Sequence, residues 1–129
     1  FINSNNIGSM PSDFDCTETI IKYQSNKSVE TEQIAEEVAK EYLVKQYWRY
    51  NVTTDNITVM INYSEFPVYK DNNLTGSLKA FIINAEVYGI YKSYTRINDV
   101  EVSVDTPRKD QFAVDNKGNV LIIVNPCGA

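Results

Sequence analysis

Few side chains in this 129-residue chain are placed to do chemistry, and Glu86 and Tyr88 come first among them. Two positions apart in an extended segment, they share one face and neighbour each other. A carboxyl and a phenol so placed could act as an acid–base pair if a dry cavity raised the pKa of Glu86. The simpler arrangement puts Asn84, Glu86, Tyr88 and Lys92 on a solvated face, with Phe81, Ile83, Ala85 and Val87 turned to the core. Both residues are kept as pocket candidates, and no catalytic residue is assigned. Asp115, Asn116 and Asn119 are a second polar group. Their spacing lacks the alternating donors and distal Glu of a calcium loop, and it suits a tight turn.

What is missing restricts the chemistry further. The chain has no histidine, which removes Ser-His-Asp and Cys-His machinery, histidine zinc sites and the commonest general base. Its two cysteines, Cys16 and Cys127, form neither a redox C-x-x-C nor a four-thiolate zinc site. No glycine-rich phosphate loop occurs. No metal and no cofactor is expected.

The net charge of −5 argues against a phosphate backbone or an anionic membrane surface as partner. The densest basic pair, Arg108-Lys109, is flanked by Asp105 and Asp110, so no cationic face is expected. The longest apolar runs, Ala80–Ile83 and Val120–Val124, are far shorter than the ~20 residues of a transmembrane helix. A soluble domain whose partner is another protein is the expectation. Aromatic residues near the end of the expected helix and just after it, Trp48, Tyr50, Phe66 and Tyr69, are the interface candidates, since such rings supply large rigid contact area. Trp48 lies off the apolar stripe that carries Tyr42 and Tyr47, which makes it the strongest of the four.

A chain opening on Phe1 suggests that a leader or anchor has been removed, hence a secreted or extracytoplasmic protein. If Met10 is the native start, the protein would be cytoplasmic. In an oxidising compartment Cys16 and Cys127 would pair; in a reducing one they would be two buried thiols.

The elements that would position these residues follow from periodicity. Residues 1–28 read as an N-terminal arm, within which 17–24 is either a short strand or a helical turn. Residues 29–129 read as one α+β domain. Ile34, Val38, Tyr42 and Tyr47 recur at helical spacing, predicting a helix over 29–50 with Ser28 or Thr31 as its cap. Alternation predicts strands at 57–63, 78–96, 100–104, 111–114 and 119–124. A loop is expected at 64–76, a bulge at Gly89, a break near Thr106-Pro107 and a turn at 115–118. The expected architecture is one long helix packed on a curved antiparallel sheet of four to five strands.

The helix ending Tyr47-Trp48-Arg49-Tyr50, the long bent strand 78–96 and the closing hairpin 112–124 together resemble the cystatin-like and NTF2-like α+β group. The order of elements carries that resemblance. It extends to the extracytoplasmic domains of conjugative secretion proteins, which implies an assembly role without catalysis. The chain lacks the Gln-x-Val-x-Gly motif of cystatin inhibitors and has only one helix before the sheet, where the enzyme-like members have two or three. Three functions follow as expectations: an exported, non-catalytic interaction or assembly domain; a small-ligand-binding or histidine-free lyase or isomerase cone; or an inhibitor or immunity protein whose acidic face blocks a basic enzyme.

Overall fold

A computed structural model describes residues 16–125. One helix packs against a five-stranded antiparallel sheet: β1 (Glu18–Gln24), α1 (Glu32–Gln46), β2 (Ile57–Lys70), β3 (Asn73–Ile97), β4 (Val100–Val114) and β5 (Asn119–Val124). The spatial order is β1-β5-β4-β3-β2. No helix among the described residues is long and apolar enough to cross a membrane.

The helix is shorter than its apolar period suggests. Thr31 caps it, its hydroxyl accepting the Ile34 amide at 3.2 Å, which satisfies a donor that has no carbonyl within the first turn. Val29 lies outside it because its backbone is used elsewhere: its amide donates to the Asn116 carbonyl, and its carbonyl accepts from the Asn116 side chain, both at 2.9 Å. At the other end Tyr47 leaves helical geometry, and a single 3₁₀ turn, Trp48–Tyr50, follows. Asn51 closes that turn at φ 53°, a left-handed conformation that Asn tolerates better than most residues. Ala35, Val38, Ala39, Tyr42 and Leu43 are buried against the sheet, with Ile34 half-buried at the margin. The Tyr42 ring meets the edge of Phe112 at 5.1 Å.

Two readings of the strands need correction. The expected loop at 64–76 is instead strand on both sides of a two-residue turn, Asp71-Asn72, in which both residues have positive φ. That geometry matches the right-handed twist of a hairpin, and short side chains such as Asn and Asp accept it. Pro67 survives inside β2 because β2 is an outer strand, where a missing amide breaks no ladder bond. The expected break near Thr106-Pro107 is also absent. β4 runs through it, and Pro107 sits opposite a bulge where Tyr88-Gly89-Ile90 lie between the pairs Val87↔Arg108 and Tyr91↔Thr106. The bulge expected at Gly89 is there, with φ 94° and its amide donating to Asp105 Oδ1 at 2.9 Å.

Within the expected arm, Glu18–Gln24 resolves as strand β1, paired along β5. Its far edge reaches the other outer strand: Thr19 Oγ1 donates to the Pro67 carbonyl and accepts the Tyr69 amide, each at 2.9 Å. The Asn72 amide also donates to the Thr17 carbonyl at 3.0 Å. Cys16 lies just before this strand, its amide donating to the Asn125 side chain at 3.1 Å. The bridge expected between Cys16 and Cys127 involves Cys127, which lies outside the described residues.

The main core fills the helix-side face with Val38, Leu43, Ile83, Val87, Phe112 and Val114. On the opposite face a smaller cluster gathers Phe66, Ala80, Ala113 and Leu121, with Leu78 and Ile82 beside it.

Candidate functional site

β3 and β4 outrun the rest of the sheet. β2 pairs with β3 only as far as Val87, and β5 pairs with β4 only at Ala113 and Val114. Past the Gly89 bulge the two strands therefore pair with each other alone, from Tyr91↔Thr106 to Ile97↔Val100. A second two-residue turn, Asn98-Asp99, closes them with positive φ at both positions. Every residue from 91 to 106 is exposed.

This ribbon is amphipathic without being buried. Directly paired residues share a face, so one side carries Tyr91, Ser93, Thr95 and Ile97 with Val100, Val102, Val104 and Thr106. The other side carries Tyr94 and Ser103 between two opposite-charge pairs, Lys92↔Asp105 and Arg96↔Glu101. A two-stranded ribbon with a β-branched apolar face and a charged back has the pattern of a half-buried sheet. Among the described residues nothing covers the apolar face, and Tyr91, Ile97, Val100, Val102 and Val104 on it are 37% to 60% exposed. In register, that face continues the side of the sheet on which α1 lies.

The base of the ribbon is tied to the end of the helix. Tyr47 Oη donates to Asp110 Oδ2 at 2.6 Å. The Arg108 guanidinium lies 5.9 Å from the Tyr47 ring centre, and its Nη1 donates to Tyr91 Oη at 2.8 Å. Burial, then the hydrogen bond to Asp110, pushes the Tyr47 phenol well above its ordinary pKa. The bond to Tyr91, then the nearby Tyr47, raises Arg108, which stays charged. Tyr91 is thereby held against the body while the rest of the ribbon projects.

The sequence-derived interface candidates divide. Trp48 is 66% exposed, with the Arg49 guanidinium 5.1 Å from its ring centre. Tyr50 is half exposed, its ring 6.4 Å from that of Tyr47. These two lie at the helix end that Tyr47 ties to the ribbon base. Phe66 is only 8% exposed and belongs to the smaller core cluster, so it offers little to a partner. Tyr69 is half-buried at the contact between the outer strands.

Glu86 and Tyr88 do meet: the Tyr88 hydroxyl donates to Glu86 Oε1 at 3.4 Å, a long bond. Both are half-buried. Glu86 lines a groove of ≈ 480 Å³ with Thr58, Met60, Asn84, Lys109 and Gln111. Lys109 is its register partner on β4. This groove lies on the face away from the helix and is separate from the ribbon's apolar side. Asp115 proves to be a turn residue: its carboxylate accepts the Lys117 and Asn119 amides and the Asn119 side chain, each at 2.9 Å. Among the described residues, no group of three His, Cys, Asp or Glu side chains could hold a metal ion.

The ribbon was the feature that sequence reading missed. The Val100, Val102, Val104 alternation signalled a strand with one apolar face, but alternation alone says nothing about whether that face is covered. Compared with known proteins, the chain matches no family model, no curated protein and no solved structure.

Proposed function

We propose that this chain is a non-catalytic interaction or assembly domain that works through the apolar face of its ribbon, with Trp48 and Tyr50 at the helix end as a flanking contact. The observation that carries the reading is the exposed row Tyr91, Ile97, Val100, Val102 and Val104, which none of the described residues covers. A contiguous apolar face projecting from a folded body marks a contact surface, because keeping it hydrated has a standing free-energy cost that a partner removes. The reading includes export, a Cys16–Cys127 bridge and kinship with the cystatin-like and NTF2-like cones that serve in secretion assemblies. The hydrogen bonds that join the outer strands through Thr19 support a curved sheet of that kind. A second reading, a small-ligand-binding cone, draws support from the groove beside Glu86.

The two readings separate in cells where deletion of the chain causes a scorable defect. Val102→Asp, Trp48→Ala and Glu86→Gln chains are each expressed at matched abundance. The expected result is a deletion-like defect for Val102→Asp, a partial one for Trp48→Ala, and none for Glu86→Gln. A defect in Glu86→Gln alone, with its fold intact, would transfer the function to the groove.

A further inference from the structure

Resting on that reading, we propose that the partner of the ribbon's apolar face is the same face of a second copy, giving a two-fold symmetric dimer. The chemistry of the face selects its occupant. None of its eight residues is charged, and Lys92, Arg96, Glu101 and Asp105 all project from the back. A partner presenting charges would leave them desolvated and unpaired, whereas a second ribbon presents none. The chain's charge of −5 repels another copy at long range, and salt screens that repulsion beyond ~8–10 Å. Lipid fits less well, since seven residues per ribbon strand, 91–97 and 100–106, fall short of the ~9–11 needed to span a bilayer.

Area points the same way. The five large apolar residues, with the exposures given above, present roughly 500 Å² per copy, so face-to-face packing would bury roughly 1,000 Å² in total, about where specific interfaces begin. β-Branched faces such as Val100, Val102, Val104 and Thr95 stack as the two layers of a sandwich do. A two-fold contact also sets Val102 of one copy near the centre of the facing ribbon, so one substitution enters the interface twice. Interfaces this small are typical of weak, transient encounters, so association is expected only at micromolar concentrations and above.

Sedimentation equilibrium on the full chain, from about 1 to 500 μM, reads the mass directly. Wild type should pass from monomer to dimer across that range. Ser103→Asp, on the charged back of the same ribbon, should do the same. Val102→Asp should raise the dissociation constant by about 50-fold or more, because two carboxylates would be buried without partners. Circular dichroism melts confirm that both variants are folded. A wild-type monomer at every concentration overturns the proposal, as does a Val102→Asp dimer as tight as wild type. Flotation of a monomeric wild type with zwitterionic phosphatidylcholine vesicles also overturns it, in favour of lipid. If wild type is monomeric and Val102→Asp still causes the cellular defect, the second copy is discarded and the interaction reading stands. If wild type is monomeric and Val102→Asp causes no defect, both fall.

Discussion

Gly118→Ala should be among the most damaging single-methyl additions to this chain, and its cost can be worked out from the turn. Gly118 ends the Asp115–Gly118 turn at φ 84° and is buried. A left-handed conformation costs an L-residue about 1–2 kcal/mol. The added Cβ would also stand 2.3 Å from the Lys27 carbonyl oxygen and 3.2 Å from that of Ser25. Both are backbone atoms, so no flexible side chain can yield. Segment 25–29 must move away, which breaks or stretches the Ser25 amide bond to the Gly118 carbonyl at 2.8 Å and the two Val29–Asn116 bonds. Losing two of these at about 1 kcal/mol each brings the total to about 3–4 kcal/mol. Gly76 supplies the control, since a Cβ there meets nothing within 4 Å, and Gly76→Ala should stay within about 0.5 kcal/mol of wild type. Urea denaturation measures both, and hydrogen exchange at the Ser25 and Val29 amides locates the damage. A Gly118→Ala protein within about 0.5 kcal/mol of wild type would refute the claim that this turn clamps the lead-in to the helix.

Other substitutions test separate parts of the account. Val38→Ala, at a fully buried helix position, should cost about 2–3 kcal/mol in the same denaturation assay. A smaller effect than Ile34→Ala would contradict the register of the helix. Alkaline stability should report Tyr47. Its folded pKa lies above the unfolded value of about 10, so its contribution is fully present below pH 10 and is lost as pH rises beyond that. Tyr47→Phe should therefore show a shallower decline in stability above pH 10 than wild type, and an equal or steeper one would dismiss the buried, Asp110-bonded Tyr47 phenol as the cause. A thiol assay on unreduced, denatured protein should find no reactive cysteine if Cys16 and Cys127 are bridged; two reactive thiols would place the protein in a reducing compartment.

Some of this fold was readable from residue order. The stripe of Val38, Ala39, Tyr42 and Leu43 depends only on the helical period, and the structure buries those residues against the sheet. Gly89 and Gly118 could be placed because each special backbone position needs the residue type present there. The helix start could not, because Val29 is held by Asn116, 87 positions away, and no local signal records that bond. Pro67, Asn72, Asn73 and Gly76 made residues 64–76 look like a loop because breaker residues do not reveal whether a strand lies at an edge. The same ignorance of neighbours concealed the candidate site. Val100, Val102 and Val104 alternate like core residues, and they are exposed because β3 and β4 run on past the rest of the sheet, where β2 pairs only as far as Val87 and β5 reaches only Ala113 and Val114. The exposure of Trp48 was readable from its position off the apolar stripe, while the burial of Phe66 was not, because the smaller cluster on the second face had no signature of its own.

The central claim is that this protein works through a contact on the ribbon and not through chemistry in the groove. Its most direct test is site-specific photo-crosslinking in the producing cells, with a photo-reactive residue placed at position 102 in one strain, 103 in a second and 86 in a third. The account predicts discrete protein adducts from position 102, few from position 103 on the charged back, and none from position 86. Adducts from position 86 with none from position 102 would contradict it.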